Sequence, residues 1–460
     1  MTTALPSDPV DTAAYQARDA AHHWHPFSNT KTLAAEGSRV ITRADGATLW
    51  DSDGNEILDG MAGLWCVNVG YGRDELADAA ATQMRELPYY NTFFKTTSVP
   101  ATNLAAKLAE LTPAGLNRVF FANSGSEAND TIVRMVRHYW QVAGKPEKKT
   151  IISREYAYHG STMVAVSLGG MSAMHDQVDM PLPGFEHVQP PYFLRDGGNM
   201  TPDEFGLVAA RALEERIREL GADRIAAFIA EPIQGAGGVI VPPASYFPEI
   251  QRICRQHDIL FIVDEVICGF GRTGAWFGSE TFGLKPDMMT LAKGLSSGYA
   301  PIAAVMIGDR VAETLVEQGG EFYHGFTYSG HPTACAVALA NLAIIEREEL
   351  VERTASDTGP YLQQGLRSLA DHPLVGEVRG VGMIGAVELV RDKDGPVFFQ
   401  PEGEVGTMCR DHFVRNNVIM RAVRDAMVVS PPLVITRREI ERLIDTARVC
   451  LDLTQRDLGL

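Results

Sequence analysis

A chain of 460 residues with 45% hydrophobic content can build a sizeable core and is too long for one compact layer, so two domains are expected. Its 58 acidic residues against 41 basic ones leave a net charge of −17, with no basic run able to track a phosphate backbone or an anionic membrane, which argues against nucleic acid and membranes as partners. Six cysteines (Cys66, Cys254, Cys268, Cys335, Cys409 and Cys450) without a CxxC pair argue for reduced thiols rather than a disulfide framework; the polar, acidic N-terminus shows neither signal nor transit peptide, so a cytoplasmic location is expected.

Residues 40–58 read as short strands around an Asp53-Gly54 turn and are expected to pack with the C-terminal part. The apolar run 118–122 reads as a strand, and Asn123-Ser124-Gly125-Ser126-Glu127-Ala128-Asn129 opens a helix whose apolar positions Ala128, Ile132, Val136 and Tyr139 recur at helical spacing. A small-residue turn at a helix N-terminus leaves N–H groups free at the positive end of the dipole, which suits a phosphate; a plain Ser N-cap is the commoner reading of such a turn alone. The GxxxxGK[ST] spacing of nucleotide triphosphate sites is absent. Residues 150–153 form another strand-like run, followed by Tyr158-His159-Gly160, where the tyrosine could stack on a planar ring or simply fill the core.

Runs 225–231, 259–265 and 288–292 are nearly continuous in Ile, Phe, Val and Ala, as strands covered on both faces are, and their alternation with helical segments predicts an α/β domain around a mainly parallel sheet. Gly235-Ala236-Gly237-Gly238 lacks the G-x-G-x-x-G spacing and reads as a tight turn. Asp264 ends the second of these runs and Lys293 ends the third, so both fall beyond the carboxyl ends of strands, where open α/β sheets bind ligands. A desolvated lysine is a nucleophile and a carboxylate can hold a proton on a pyridine nitrogen, although the pair alone is equally readable as a buried ion pair joining two strands. Beyond a buried helix at 334–345 the texture changes: residues 375–390 look like an antiparallel strand pair, and Thr436-Arg437-Arg438-Glu439 fits a capping box opening the last helix. The expected division is an N-terminal segment 1–62 packing with the small domain, a large domain 63–344 and a small α+β domain 345–460.

Taken in order, Asn-Ser-Gly-Ser-Glu-Ala-Asn at 123–129, Tyr-His-Gly at 158–160, Glu231-Pro232, Asp264-Glu265-Val266 and Lys293-Gly294 resemble the class III aminotransferases that depend on pyridoxal 5′-phosphate (PLP). The resemblance runs from about Pro26 to the last helix and implies the PLP-dependent fold type I, with a mainly parallel seven-stranded sheet and a smaller α+β domain. By it, Lys293 resembles the Schiff-base lysine and proton carrier, Asp264 the carboxylate on the pyridine nitrogen, and Glu231 the carboxylate near the ring hydroxyl. Tyr158 and Val266 are similar to the residues sandwiching the ring, Gly125 and Ser126 to the phosphate cradle, and Thr327 to a threonine reaching the phosphate from a partner subunit. No metal ligand is implied.

Gly63-Leu64-Trp65-Cys66, Phe27, Phe93 and Met420-Arg421-Ala422 resemble the ω-transaminase branch. That likeness implies an amine pocket of Phe27, Trp65, Tyr158 and the partner's Phe93, with Arg421 pairing the carboxylate of an oxo or amino acid. Members using 2-oxoglutarate often carry an arginine after the aromatic-X-Gly motif, where Ser161 stands here, so pyruvate is the expected acceptor in a ping-pong transfer from a primary amine, diamine or ω-amino acid. A homodimer with its site at the subunit interface, or a tetramer, follows from the same resemblance. The alternatives are 2-oxoglutarate as acceptor, a PLP mutase, decarboxylase or racemase on the same fold, or a silent scaffold relative.

Overall fold

The computed structural model describes residues 11–177, 179–393 and 395–460, so the first ten residues of the expected N-terminal segment lie outside the described part. Seven strands form the central sheet in the spatial order Leu116–Ala122, Ala303–Gly308, Met288–Leu291, Leu260–Asp264, Ile225–Ala230, Thr150–Arg154 and Phe185–Val188. The last five in that order run parallel, while Ala303–Gly308 pairs antiparallel with both of its neighbours. Every residue of Ile225–Ala230, Leu260–Asp264 and Met288–Leu291 is buried, because apolar clusters cover both sheet faces. Strands Ala303–Gly308 and Phe185–Val188 were not singled out in the sequence.

One register decides where the site lies. Asp264 pairs with Thr290, so the chain leaves both strands on the same edge, with Asp264 as the last residue of one strand and Lys293 two residues past the end of the other. Helix Gly125–Val142 covers one face of the sheet and buries Ala128, Ile132, Val136 and Tyr139, the spacing read from the sequence.

Two further sheets have four strands each. Ile41–Asp45, Thr48–Asp51 and Glu56–Asp59 form an antiparallel meander joined in parallel by Val418–Ile419, so the N-terminal strands do pair with the C-terminal part. The expected pair at 375–390 is Val375–Val381 with Ile384–Leu389, extended by Ala426–Val429 and Arg421–Val423. Those two short strands escaped the sequence reading, and they carry Arg421. The last helix, Arg437–Leu458, has the Thr436/Glu439 capping box. Among the described residues no helix is long and apolar enough to cross a membrane.

Candidate active site

Lys293 sits on a short 3-10 turn with φ +48°, a left-handed conformation that a lysine adopts only where its surroundings impose it. The turn that follows is held by Asn341, which donates from Nδ2 to the carbonyls of Gly294 (2.9 Å) and Leu295 (3.0 Å). The ammonium points toward Trp65, 5.6 Å from the ring centroid. Burial pushes its pKa below the ordinary lysine value, against the opposing pull of Asp264.

Asp264 is only 3% exposed, and its carboxylate is held by three donors: His159 Nδ1 (2.8 Å) and Asn129 Nδ2 (3.0 Å) on Oδ2, and the Val266 N–H (3.1 Å) on Oδ1. Asn129 is fixed in turn by donating to the His159 carbonyl (2.7 Å) and accepting from Thr290 Oγ1 (2.8 Å). Burial alone would raise the carboxyl, but the His159 hydrogen bond and charge, with Asn129 and Val266, carry it below the ordinary range. Burial likewise disfavours the His159 cation, yet Asp264 and Glu231 lift its pKa above the usual histidine value. The neighbouring Glu265 takes no part in this network; it accepts from Gly278 N, Ser279 N and Ser279 Oγ, and burial pushes it up to about 7. Glu231, also buried, pairs with Arg154 (3.1 Å) and accepts from the Tyr158 N–H (3.2 Å).

Opposite these groups, Ser124 caps the helix through the Glu127 N–H (3.2 Å), leaving Gly125 and Ser126 in its first turn. Ser126 Oγ accepts from Ser161 N (3.0 Å), drawing the Tyr-His-Gly loop against the helix end. The approach depends on Gly160: φ is +134°, and an added Cβ would lie 2.4 Å from Ser126 Oγ. At Gly125 a Cβ would press on Val266 at 3.3 Å, filling space the glycine leaves open.

Gly125, Ser126, Tyr158, Glu231, Asp264, Val266 and Lys293 line one cavity of about 350 Å³, within the range of small-molecule pockets. The cavity fits PLP in the chemistry of its donors. A glycine-lined helix N-terminus suits a phosphate, a buried ionised carboxylate suits a pyridinium nitrogen, and a desolvated lysine suits an aldehyde.

Trp65 and Arg421 are not among the residues lining that cavity; they join it through Lys293, since the Arg421 guanidinium lies 5.0 Å from the same Trp65 ring centroid. Burial pushes its pKa down, opposed by Tyr158, and no carboxylate among the described residues pairs with it. Tyr158 Oη is 3.0 Å from Ser161 Oγ, and the Phe27 ring meets Tyr158 edge-on at 6.4 Å while remaining 74% exposed. Phe93 and Thr327 do not join this cavity: Phe93 lines a second one of about 440 Å³ with Phe121 and His324, and the Thr327 carbonyl accepts from Tyr89 Oη (2.7 Å). The resemblance had assigned both to a partner subunit.

The sequence reading missed Asn129 and His159 as supports of Asp264, and Arg154 as the partner of Glu231. Asn129 and His159 do lie inside the motifs already quoted, and their polarity at buried positions was the available signal.

The family model for aminotransferase class III matches residues 32–451. The putrescine–pyruvate aminotransferase of Pseudomonas aeruginosa is 58% identical over 96% of this chain and 97% of its own length. The diaminobutyrate–2-oxoglutarate transaminase of Halomonas elongata is 45% identical over 93% of each chain. Among solved structures, the ω-transaminase of Pseudomonas jessenii in complex with PMP superposes with a TM-score of 0.94 at 44% identity, covering 96% of this chain and 99% of that one.

Proposed function

The chain belongs to the class III aminotransferases, PLP-dependent enzymes acting on small amines and oxo acids, and we propose that it moves the amino group of a primary amine, diamine or ω-amino acid to pyruvate in a ping-pong cycle. The observation that carries the choice of acceptor is the near full-length identity to a relative named for putrescine and pyruvate. Ser161 supports it, since the position after Tyr-His-Gly offers no cation for the second carboxylate of 2-oxoglutarate.

In this reading bound PLP supplies an electrophilic carbon and an electron-withdrawing ring. Lys293 Nζ, with its pKa lowered by burial, holds the cofactor and carries a proton to and from the substrate carbon. Asp264, kept ionised by His159 and Asn129, favours a proton on the group it faces. Glu231 would serve the ring hydroxyl, Tyr158 and Val266 would enclose the ring, and Gly125 and Ser126 would hold the phosphate. Trp65, Tyr158 and Phe27 take the apolar part of an amine, and Arg421, which pairs with no carboxylate among the described residues, takes the carboxylate of pyruvate or alanine.

Phe93 and Thr327 lie away from the Lys293 cavity, which supports a homodimer in which a second copy supplies both. The division 63–344 and 345–460, with 1–62 joined to the latter, remains our assignment of domains, supported by the pairing of Val418–Ile419 with Glu56–Asp59. All six cysteines are free, which suits a reducing cytoplasm.

A panel of diamines, ω-amino acids and arylalkyl amines, each assayed with pyruvate and with 2-oxoglutarate, tests the proposal. Alanine formation with pyruvate is expected. Turnover confined to 2-oxoglutarate would favour the acceptor of the Halomonas elongata relative instead, and no amino transfer from any donor would overturn the reading.

A further inference from the structure

The motifs that mark the cavity leave the histidine-rich stretch His22-His23-Trp24-His25 unused. Helix Thr12–His22 ends here, with Asp19 in its last turn and His23, four residues on, as its C-cap. The chain then folds back so that His25 meets the same carboxylate. His23 Nδ1 and His25 Nε2 each lie 2.9 Å from Asp19 Oδ1, and His25 Nε2 is also 2.8 Å from Oδ2. The two rings are 4.0 Å apart, and one donor atom from each of the three residues falls within 4.8 Å of the others.

We propose that Asp19, His23 and His25 form a binding site for a borderline divalent cation, Zn²⁺ in the first instance, that ties the helix end to the segment leading to Phe27. Two imidazoles and a carboxylate are the ligand set such ions select, and three protein ligands leave a further position for water or another donor. With metal–ligand distances of about 2.1 Å, ligand atoms around a tetrahedral ion stand about 3.4 Å apart. The present N···O separations of 2.8 to 2.9 Å must therefore open by about 0.5 Å, a small torsional change for side chains that are partly solvent-exposed. Both rings converge on one carboxylate, His23 at Oδ1 and His25 across Oδ1 and Oδ2, and an ion placed among them would serve all three groups at once.

The location gives the site a consequence. His25 is followed by Pro26 and Phe27, whose ring meets edge-on the Tyr158 that lines the Lys293 cavity. A cation clamping His25 to the helix end restricts the segment that carries Phe27.

The test uses the untagged, PLP-loaded enzyme, freed of excess cofactor and treated with chelator, and titrates it calorimetrically with ZnCl₂ at pH 7.5. One equivalent per chain is expected, weakened at least tenfold in Asp19→Asn and in the His23→Ala/His25→Ala double variant. Amide hydrogen exchange of residues 22–28 should slow when Zn²⁺ is added to the unaltered enzyme. Absence of uptake, or equal binding by the double variant at an unchanged melting temperature, overturns the site. Uptake with no slowing of exchange overturns the clamp. Should the double variant fold poorly, His23→Gln, at a largely exposed position, carries the same binding comparison.

Discussion

His159 and Asp264 face each other across 2.8 Å inside the protein, imidazole Nδ1 against carboxylate Oδ2, and each shifts the other toward its charged form. Because the Asp264 carboxyl lies below its ordinary range, its contribution to stability is present above about pH 3.9, the unfolded value, and is lost as pH falls through the lower folded value. His159 lies above its ordinary range, so its contribution is present below about pH 6.5 and is lost as pH rises through the folded value. A component of the melting temperature should therefore fall on the alkaline side of about pH 6.5 and be missing in His159→Gln. Calorimetry of both proteins across that range decides it. Parallel pH slopes would show that the ring is neutral, as the lack of a partner for His159 Nε2 among the described residues would allow.

Lys293→Ala should lower turnover by about 10² to 10⁴ or more, the span general acid–base groups contribute, and leave noncovalent PLP binding through the helix end and Asp264. Borohydride reduction followed by peptide mass spectrometry should find the cofactor attached at residue 293 in the parent protein and nowhere in the variant.

At Gly160, a methyl group would stand 2.4 Å from Ser126 Oγ on a backbone at φ +134°. Strain of this kind costs about 1 to 3 kcal/mol, and relaxing it pushes the loop away from the helix end. Gly160→Ala should therefore weaken PLP at least tenfold, measured by titrating the apoenzyme with cofactor. Undiminished affinity would remove Ser126 and its loop from the phosphate site.

Arg421 has the Trp65 ring beside it and no carboxylate to pair with among the described residues. Arg421→Ala should raise KM for pyruvate and alanine by about 10- to 150-fold, the equivalent of a charge-assisted hydrogen bond of about 1.5 to 3 kcal/mol, while simple amines keep their KM. Equal losses for both substrate types would take the carboxylate role away from this residue.

Ser161 lies at the cavity's Tyr158 side, with its hydroxyl 3.0 Å from Tyr158 Oη. Ser161→Arg should raise the kcat/KM ratio of 2-oxoglutarate to pyruvate at least tenfold, since the new guanidinium can meet the second carboxylate. An unchanged ratio, measured with one donor, would separate acceptor choice from this position.

Much of this was local enough to read from the chain alone. The apolar runs ending at Asp264 and Lys293, the Ser124 cap and the Thr436/Glu439 box each depend on a few consecutive residues, and spacing and propensity decide them. What needed the folded molecule was which distant groups meet. Asn129 reaches Asp264 across 135 positions, Arg154 reaches Glu231 across 77, and Arg421 arrives beside Trp65 on a three-residue strand too short to have a periodicity of its own. Such meetings are set by strand order and register, which arise from burial summed over the whole sheet rather than from any one segment. The chain thus determined by itself which residues could do chemistry; the tertiary structure decided which of them share a cavity, and which, like Phe93 and Thr327, stand apart from it.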